Sequence, residues 1–243
     1  MRERLKKTMP SKAHHEILTA VGSICTQNLL LPIALVITVV GAVVTALVPP
    51  LILEKIRQEK PDIIGFQEVL PHVAAWLKEN LTEYYIAGCG REKDLTGEAM
   101  IIAYRKERFQ SVSLETFWLS PTPYVPGSRY PVQSMCPRTA TDVVFEDMET
   151  GKVFRVINTH LDHECAGARK LGLEQILAHL RAEKVFADVP VILSGDFNAE
   201  PDSEEMKPLR ETAGLVNATE GIGITFHNYH RDDPNDPQCS IDY

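Results

Sequence analysis

Three apolar runs in this chain end in side chains that can bind cations, move protons or hold anions. PDIIGFQE (61–68) ends in Gln67-Glu68, VFRVINTH (153–160) in Asn158-Thr159-His160, and VPVILSGDFN (189–198) in Asp196-Phe197-Asn198. A carboxylate such as Glu68 suits a hard divalent cation, Mg2+ with Mn2+ as a substitute, because such ions prefer oxygen ligands. An aspartate beside a phosphoryl group can orient or deprotonate an attacking water. An asparagine amide and a histidine ring can donate to the oxygens on which charge develops. Together the set fits metal-assisted hydrolysis of a phosphate ester. Each ending alone has a plainer reading: a solvated glutamate, a hydrogen-bonded structural histidine, or an Asp and Asn placed in a turn. The hydrolytic reading therefore requires the three ends to meet.

The elements that would position these groups alternate along the chain. PDIIGFQE, EAMIIAYR (98–105), ATDVVFED (140–147), VFRVINTH and VPVILSGDFN read as strands, largely apolar and bounded by Pro, Gly or charged residues. Val73, Trp76, Leu77 and Leu81 recur at helical spacing within 71–81, as do Ala168, Leu171, Ile176, Leu177 and Leu180 within 166–182. Glu149 to Lys152 predicts a hairpin turn, and Asp202 or Ser203 with Glu205 a capped short helix. The proline-rich stretch 118–138 predicts an ordered surface loop beside a cleft.

A formal charge of −8 over 243 residues argues against nucleic-acid binding through a broad basic surface, and there is no aromatic-basic stripe for single strands. The five cysteines form no CxxC pair, so free thiols are expected rather than a zinc ribbon or a redox site.

The N-terminal region is of another character. Leu29 to Val48 is 20 residues without a charge, long enough as a helix to cross a bilayer core of about 30 Å. The competing readings are a signal peptide and a buried helix. The excess of Arg and Lys before the span orients the remainder outside the cytoplasm. Residues 28–56 resemble the opening transmembrane helix of an ATP-binding cassette exporter, although no Walker A loop follows. The predicted organisation is a leader and transmembrane-like segment over 1–53 and a soluble domain over 54–243, membrane-anchored if that segment spans.

PDIIGFQE, NTHLDH, ILSGDFNAEP, TFH and IDY, in this order, resemble the endonuclease/exonuclease/phosphatase superfamily, which contains type I deoxyribonucleases, abasic-site endonucleases, deadenylases and sphingomyelinases. Its bacterial members share the FWLS…P…PGS loop, here Phe117 to Ser128. The resemblance implies a four-layered α/β sandwich and a magnesium-dependent phosphoesterase. It makes Glu68 the metal ligand, His160 a phosphate contact, Asp196 the group that orients water and Asn198 a holder of phosphate. Asp242 matches an aspartate that orients a catalytic histidine, and Asn158, His163 and His227 match positions near the cleft. The family's opening strand and closing SDH motif have no counterpart here, so the sandwich is expected to be incomplete at both ends and the activity impaired. Two further readings are a membrane-tethered binding protein of the same outline and a transporter fragment. The substrate, whether nucleic acid, phospholipid or small phosphate ester, does not follow from the motifs.

Overall fold

A computed structural model of the chain describes residues 36–39, 48–226, 235 and 238–243. Its strands are β1 (Val36–Val39), β2 (Ile63–Val69), β3 (Tyr84–Ala87), β4 (Ala99–Arg105), β5 (Phe109–Trp118), β6 (Thr139–Asp147), β7 (Lys152–His160) and β8 (Val191–Asp196). The helices are α1 (Val48–Glu59), α2 (Pro71–Asn80), α3 (Ala166–Ala182) and the single turn α4 (Lys207–Arg210), which follows a 3₁₀ turn at Glu204–Met206. The expected strands and the two expected helices, α2 and α3, form within a few residues of the predicted bounds.

The strands make two four-stranded sheets, in the orders β1-β2-β4-β3 and β5-β6-β7-β8. In each, one terminal pairing is parallel, β1 with β2 and β7 with β8, and the others are antiparallel. Apolar side chains alternate across the pleat and so build three cores. Ile64, Phe66, Ile101 and Ala103 turn outward against Leu53 and Ile56 of α1 and Leu77 of α2. Ile63, Ile102 and Tyr104 meet Val143, Phe145, Phe154 and Val156 between the sheets. Ala140 and Ile157 turn outward against Leu173 and Ile176 of α3. The order helix, sheet, sheet, helix is the four-layered sandwich expected.

The N-terminal expectation is corrected. A continuous transmembrane helix over Leu29 to Val48 is broken by β1, which runs parallel to β2 with Val36 opposite Ile63 and Val39 opposite Phe66. A run of β-branched Val, Ile and Thr favours the extended chain, and an uncharged stretch is also the pattern of a strand covered on both faces. The first sheet therefore has a parallel strand beside β2 where none was expected. Among the described residues no helix is long and apolar enough to cross a membrane. The rest of the exporter-like stretch before Val48 lies outside the described residues. The helix α1 runs through residue 53, where the leader was expected to end.

The capping box expected near Asp202 is also corrected. Ser203 is the N-cap without a side-chain cap bond, and its hydroxyl instead donates to Glu200 O at 2.8 Å. Glu205 is held by Arg169 of α3 at 2.6 Å, a charge-assisted bond that outcompetes an amide for the carboxylate. The four described cysteines, Cys89, Cys136, Cys165 and Cys239, are free.

One charged cluster fastens α3 to the second sheet. His179 Nε2 lies 3.0 Å from Asp142 Oδ2 and 3.2 Å from Glu115 Oε1, and Arg155 Nε lies 3.3 Å from Asp142 Oδ1. These three acid and imidazole groups could meet at one cation. With His179 protonated, however, the two carboxylates already face two cations, so the charges balance without a metal. Hydrogen bonds to Asp142 and Glu115 raise the His179 pKa from 6.5 to about 9. Because the folded value is the higher, the cluster stabilises fully below pH 6.5 and the contribution is lost as pH rises through 9. The urea midpoint is expected to fall between pH 7 and 10 by the equivalent of roughly 2 kcal/mol, after discounting for solvent screening. His179→Gln should flatten that profile.

Candidate active site

The parallel register of β7 and β8 sets His160 opposite Asp196. From the other sheet, β2 packs over both strands. Three segments distant in sequence thus bring Glu68, His160 and Asp196 to one rim. His160 lies between the carboxylates, with Nδ1 3.8 Å from Glu68 Oε1 and Nε2 3.6 Å from Asp196 Oδ2.

Glu68 reaches the rim because β2 is irregular there. Phe66 pairs with Ile101 and Val69 with Ala99, so Gln67 and Glu68 oppose Met100 alone. This bulge re-aims a side chain at the end of a strand. Glu68 has φ 57° and Asn198 has φ 50°, the left-handed region that costs a non-glycine residue about 1 kcal/mol or more. Two of the expected site residues thus carry backbone strain.

Asp196 ends β8 and is 5% exposed. Residues 241–243 lie along this strand end: Phe197 N–H donates to Ile241 O, and Gly195 and Tyr243 exchange both backbone bonds at 2.9 Å. The pairing sets Asp242 against Asp196. Burial, together with the charge of Asp242, pushes the Asp196 pKa up to about 7, and burial raises Asp242 to about 6. Burial and the neighbouring Glu98 raise Glu68 as well. Burial, then the nearby Arg138 and Arg91, pull His160 well below 6.5, so its ring is neutral at physiological pH.

Asn198 closes the turn after β8. Its backbone N–H donates to Asp196 Oδ1 at 2.8 Å, and its Nδ2 donates to Leu161 O at 3.1 Å, leaving one amide hydrogen uncommitted. His163 is half exposed at the rim, and its Nδ1 sits 2.9 Å from Arg138 Nη2. His227 lies outside the described residues.

Asn158 is placed otherwise than expected for a substrate contact. It faces the same way as His160 but one pleat deeper, fully buried between the sheets. Its Nδ2 donates to Phe66 O and Ile101 O, both at 2.9 Å, and its Oδ1 accepts Gln67 Nε2 at 2.6 Å.

The sequence motifs assign no role to Arg138, Arg91 or Asp162, although Asp162 lies within NTHLDH. Arg138 is 4% exposed, and its Nε and Nη1 have no hydrogen-bond partner. It lies beside Asp162, whose carboxylate accepts bonds from Ser134 N and Oγ and from the amides of Glu164 and Cys165. Asp162 thereby ties the proline-rich loop to the turn after β7. The signal for Arg138 was its position immediately before the buried strand TATDVVF, a mirror of the polar strand ends.

A sequence profile of the Endonuclease/Exonuclease/phosphatase family matches residues 50–243. The chain belongs to that family. Among curated proteins no sequence matches it. Among solved structures, it is similar to an endonuclease/exonuclease/phosphatase from Bacteroides vulgatus at 31% identity, covering 68% of this chain and 62% of that one with a TM-score of 0.64. It is similar to a mannosyl-6-phosphatase of Bacteroides thetaiotaomicron VPI-5482 at 30% identity, covering 70% and 64% with a TM-score of 0.66. The catalytic domain of human Nocturnin, at 22% identity and a TM-score of 0.55, shares the fold. The chain spans less than two thirds of the length of each.

Proposed function

We propose that this member of the family is a metal-dependent hydrolase of small phosphate esters. The observation that carries the reading is the meeting of Glu68, His160 and Asp196 at one rim, with Arg138 buried beside them and its Nε and Nη1 without a hydrogen-bond partner. A divalent ion fits this donor set. Three carboxylates, Glu68, Asp196 and Asp242, all have raised pKa values, and Asp242 Oδ1 is buried without a donor. Crowded acids of that kind call for positive charge beyond what Arg138 and Arg91 provide. Glu68 would hold Mg2+ or Mn2+, with Asp196 and Asp242 beside it. When bound, the ion polarises the phosphoryl group and offsets the charge of the acids.

The remaining work falls to side chains. Asp196, held beside His160 at the end of β8, would accept the proton of the attacking water. The neutral His160 ring and the free amide hydrogen of Asn198 donate to phosphoryl oxygens without adding charge. Arg138 offers charge-assisted N–H donors from Nε and Nη1 to phosphate oxygens. A small ester is favoured over nucleic acid by the net charge of −8 and by the similarity to a mannosyl-6-phosphatase.

The test is a screen of hexose phosphates, p-nitrophenyl phosphate, bis-p-nitrophenyl phosphate, a phospholipid and an oligonucleotide, each with Mg2+ and with Mn2+. Cation-dependent release of phosphate from the small monoesters is expected. Turnover that survives excess chelator, or that is confined to the oligonucleotide, would sink the reading. Replacing Arg138 with methionine should weaken competitive inhibition by inorganic phosphate by about 10- to 100-fold, the worth of one or two charge-assisted bonds. The circular dichroism spectrum should stay unchanged.

A further inference from the structure

We propose that Asn158 is a positioning residue: its carboxamide, wedged between the two sheets, sets the β2 bulge that aims Glu68 at the rim. The inference rests on the reading of Glu68 as the ligand that holds the cation, and it assigns a cause to the geometry of that residue.

Phe154 and Val156, at the preceding inward positions of β7, belong to the apolar core between the sheets. Burying an amide in such a layer costs free energy unless its hydrogen bonds are made. All three bonds of Asn158 go to the bulge and its partner strand. Nδ2 reaches Phe66 O, the last residue before the bulge, and Ile101 O, directly opposite Phe66. Oδ1 accepts the side chain of Gln67, the first residue of the bulge itself. Packing alone would not select these partners, since an aliphatic residue would fill the space without the desolvation cost. Local structure makes room for the amide. A Cβ at Gly65 would lie 3.0 Å from Asn158 Oδ1 and 3.2 Å from its Cγ, so a side chain there would crowd the carboxamide.

The geometry links two sheets that, among the described residues, share no strand pairing. Asn158 and His160 are two residues apart on β7 and face the same way, so one strand grips the base of the bulge and also presents the imidazole. The 3.8 Å separation of Glu68 and His160 spans the gap between sheets. With Asn158 in place, that gap is set by three directional bonds. A second inter-sheet bond, from Thr141 Oγ1 to Met100 O, holds the β4 residue that opposes the bulge. The residues that support a metal ligand typically affect affinity about 10- to 100-fold when removed, although they never touch the ion.

The experiment compares Asn158→Ala, Gln67→Met and Val156→Ala with the unaltered chain. Val156→Ala removes packing from the same layer and leaves the bulge untouched. Two readouts are used: Mn2+ affinity by titration calorimetry, and amide hydrogen exchange in metal-free protein. For Asn158→Ala the Mn2+ dissociation constant should rise about 10- to 100-fold. The amides of Gln67, Glu68 and Val69 should exchange faster than those of Ile63 and Ile64 in the same strand. Gln67→Met should give a smaller change of the same kind, since both donors of Asn158 remain. Val156→Ala should lower stability with little change in affinity and no local rise in exchange at the bulge. A purely structural role predicts that Asn158→Ala behaves like Val156→Ala, with exchange rising evenly along β2, and that result would overturn the proposal. If the unaltered chain binds no Mn2+, the metal reading of the site fails, and the exchange arm still decides whether Asn158 sets the bulge.

Discussion

Asp196→Asn protein is expected to be more stable than the parent at pH 8 while hydrolysing phosphate esters about 10³-fold more slowly, as for loss of a positioned base. The two effects have one origin. Burial and the charge of Asp242 hold the Asp196 pKa near 7 instead of 3.8. A carboxyl whose pKa is raised by folding stabilises most below the unfolded value, and that contribution disappears as pH rises through the folded value. Above pH 7 the folded protein therefore holds an ionised Asp196 against Asp242 with little solvent to screen them. An amide of the same shape removes the repulsion and still accepts the Asn198 N–H. The gain is on the order of 1–3 kcal/mol, read as a higher melting temperature at pH 8 that shrinks toward pH 4. Saturating Mn2+ should close the gap, since the cation offsets the same charges in the parent. A loss of stability at pH 8 in this variant would show that the carboxylate acts as a structural acceptor, and the reading of Asp196 as a strained base would go.

Glu68, His160 and Asp196 were legible because each is a polar group at the end of an apolar run, and parallel or stacked strands align such ends. Arg138 and Asp162 were not, because a charged residue before a strand or within a turn reads as solvated until burial is known. The face of Asn158 follows from the two-residue period of the pleat, but its depth does not. A step of two residues, about 6.6 Å along the strand, carries it from the rim into the space between the sheets. The strands β3 and β5 escaped notice as sheet edges. Gln110, Ser111, Ser113 and Glu115 give β5 a polar content that composition assigns to loops. The segment around Val36 to Val39 misled in the opposite sense, since an uncharged β-branched run suits a membrane helix and a covered strand alike. The fold class was readable from alternating elements, whereas the bulge that delivers Glu68 depends on contacts between sheets that no local pattern encodes.

Gly195→Ala is expected to abolish folding, with a loss of more than about 4 kcal/mol, the range that marks a specific steric fault. Gly195 sits opposite Thr159 where β8 pairs with β7, and its φ is 144°. A Cβ there would lie 1.9 Å from Thr159 O and 2.8 Å from its carbonyl carbon, both backbone atoms that cannot step aside. On its other side Gly195 exchanges two backbone bonds with Tyr243. A methyl group would therefore separate β8 from β7, undo the register that sets His160 against Asp196, and loosen the pairing that carries Asp242. Gly151→Ala supplies the contrast. Its φ is 67° with nothing within 4 Å of the added carbon, so only the left-handed backbone is penalised, by about 1 kcal/mol. Soluble yield and the urea midpoint of the two variants separate the causes. Equal, modest losses would mean that β8 can shift to admit a side chain, and the close approach of β7 and β8 would then not be what fixes the His160–Asp196 pair.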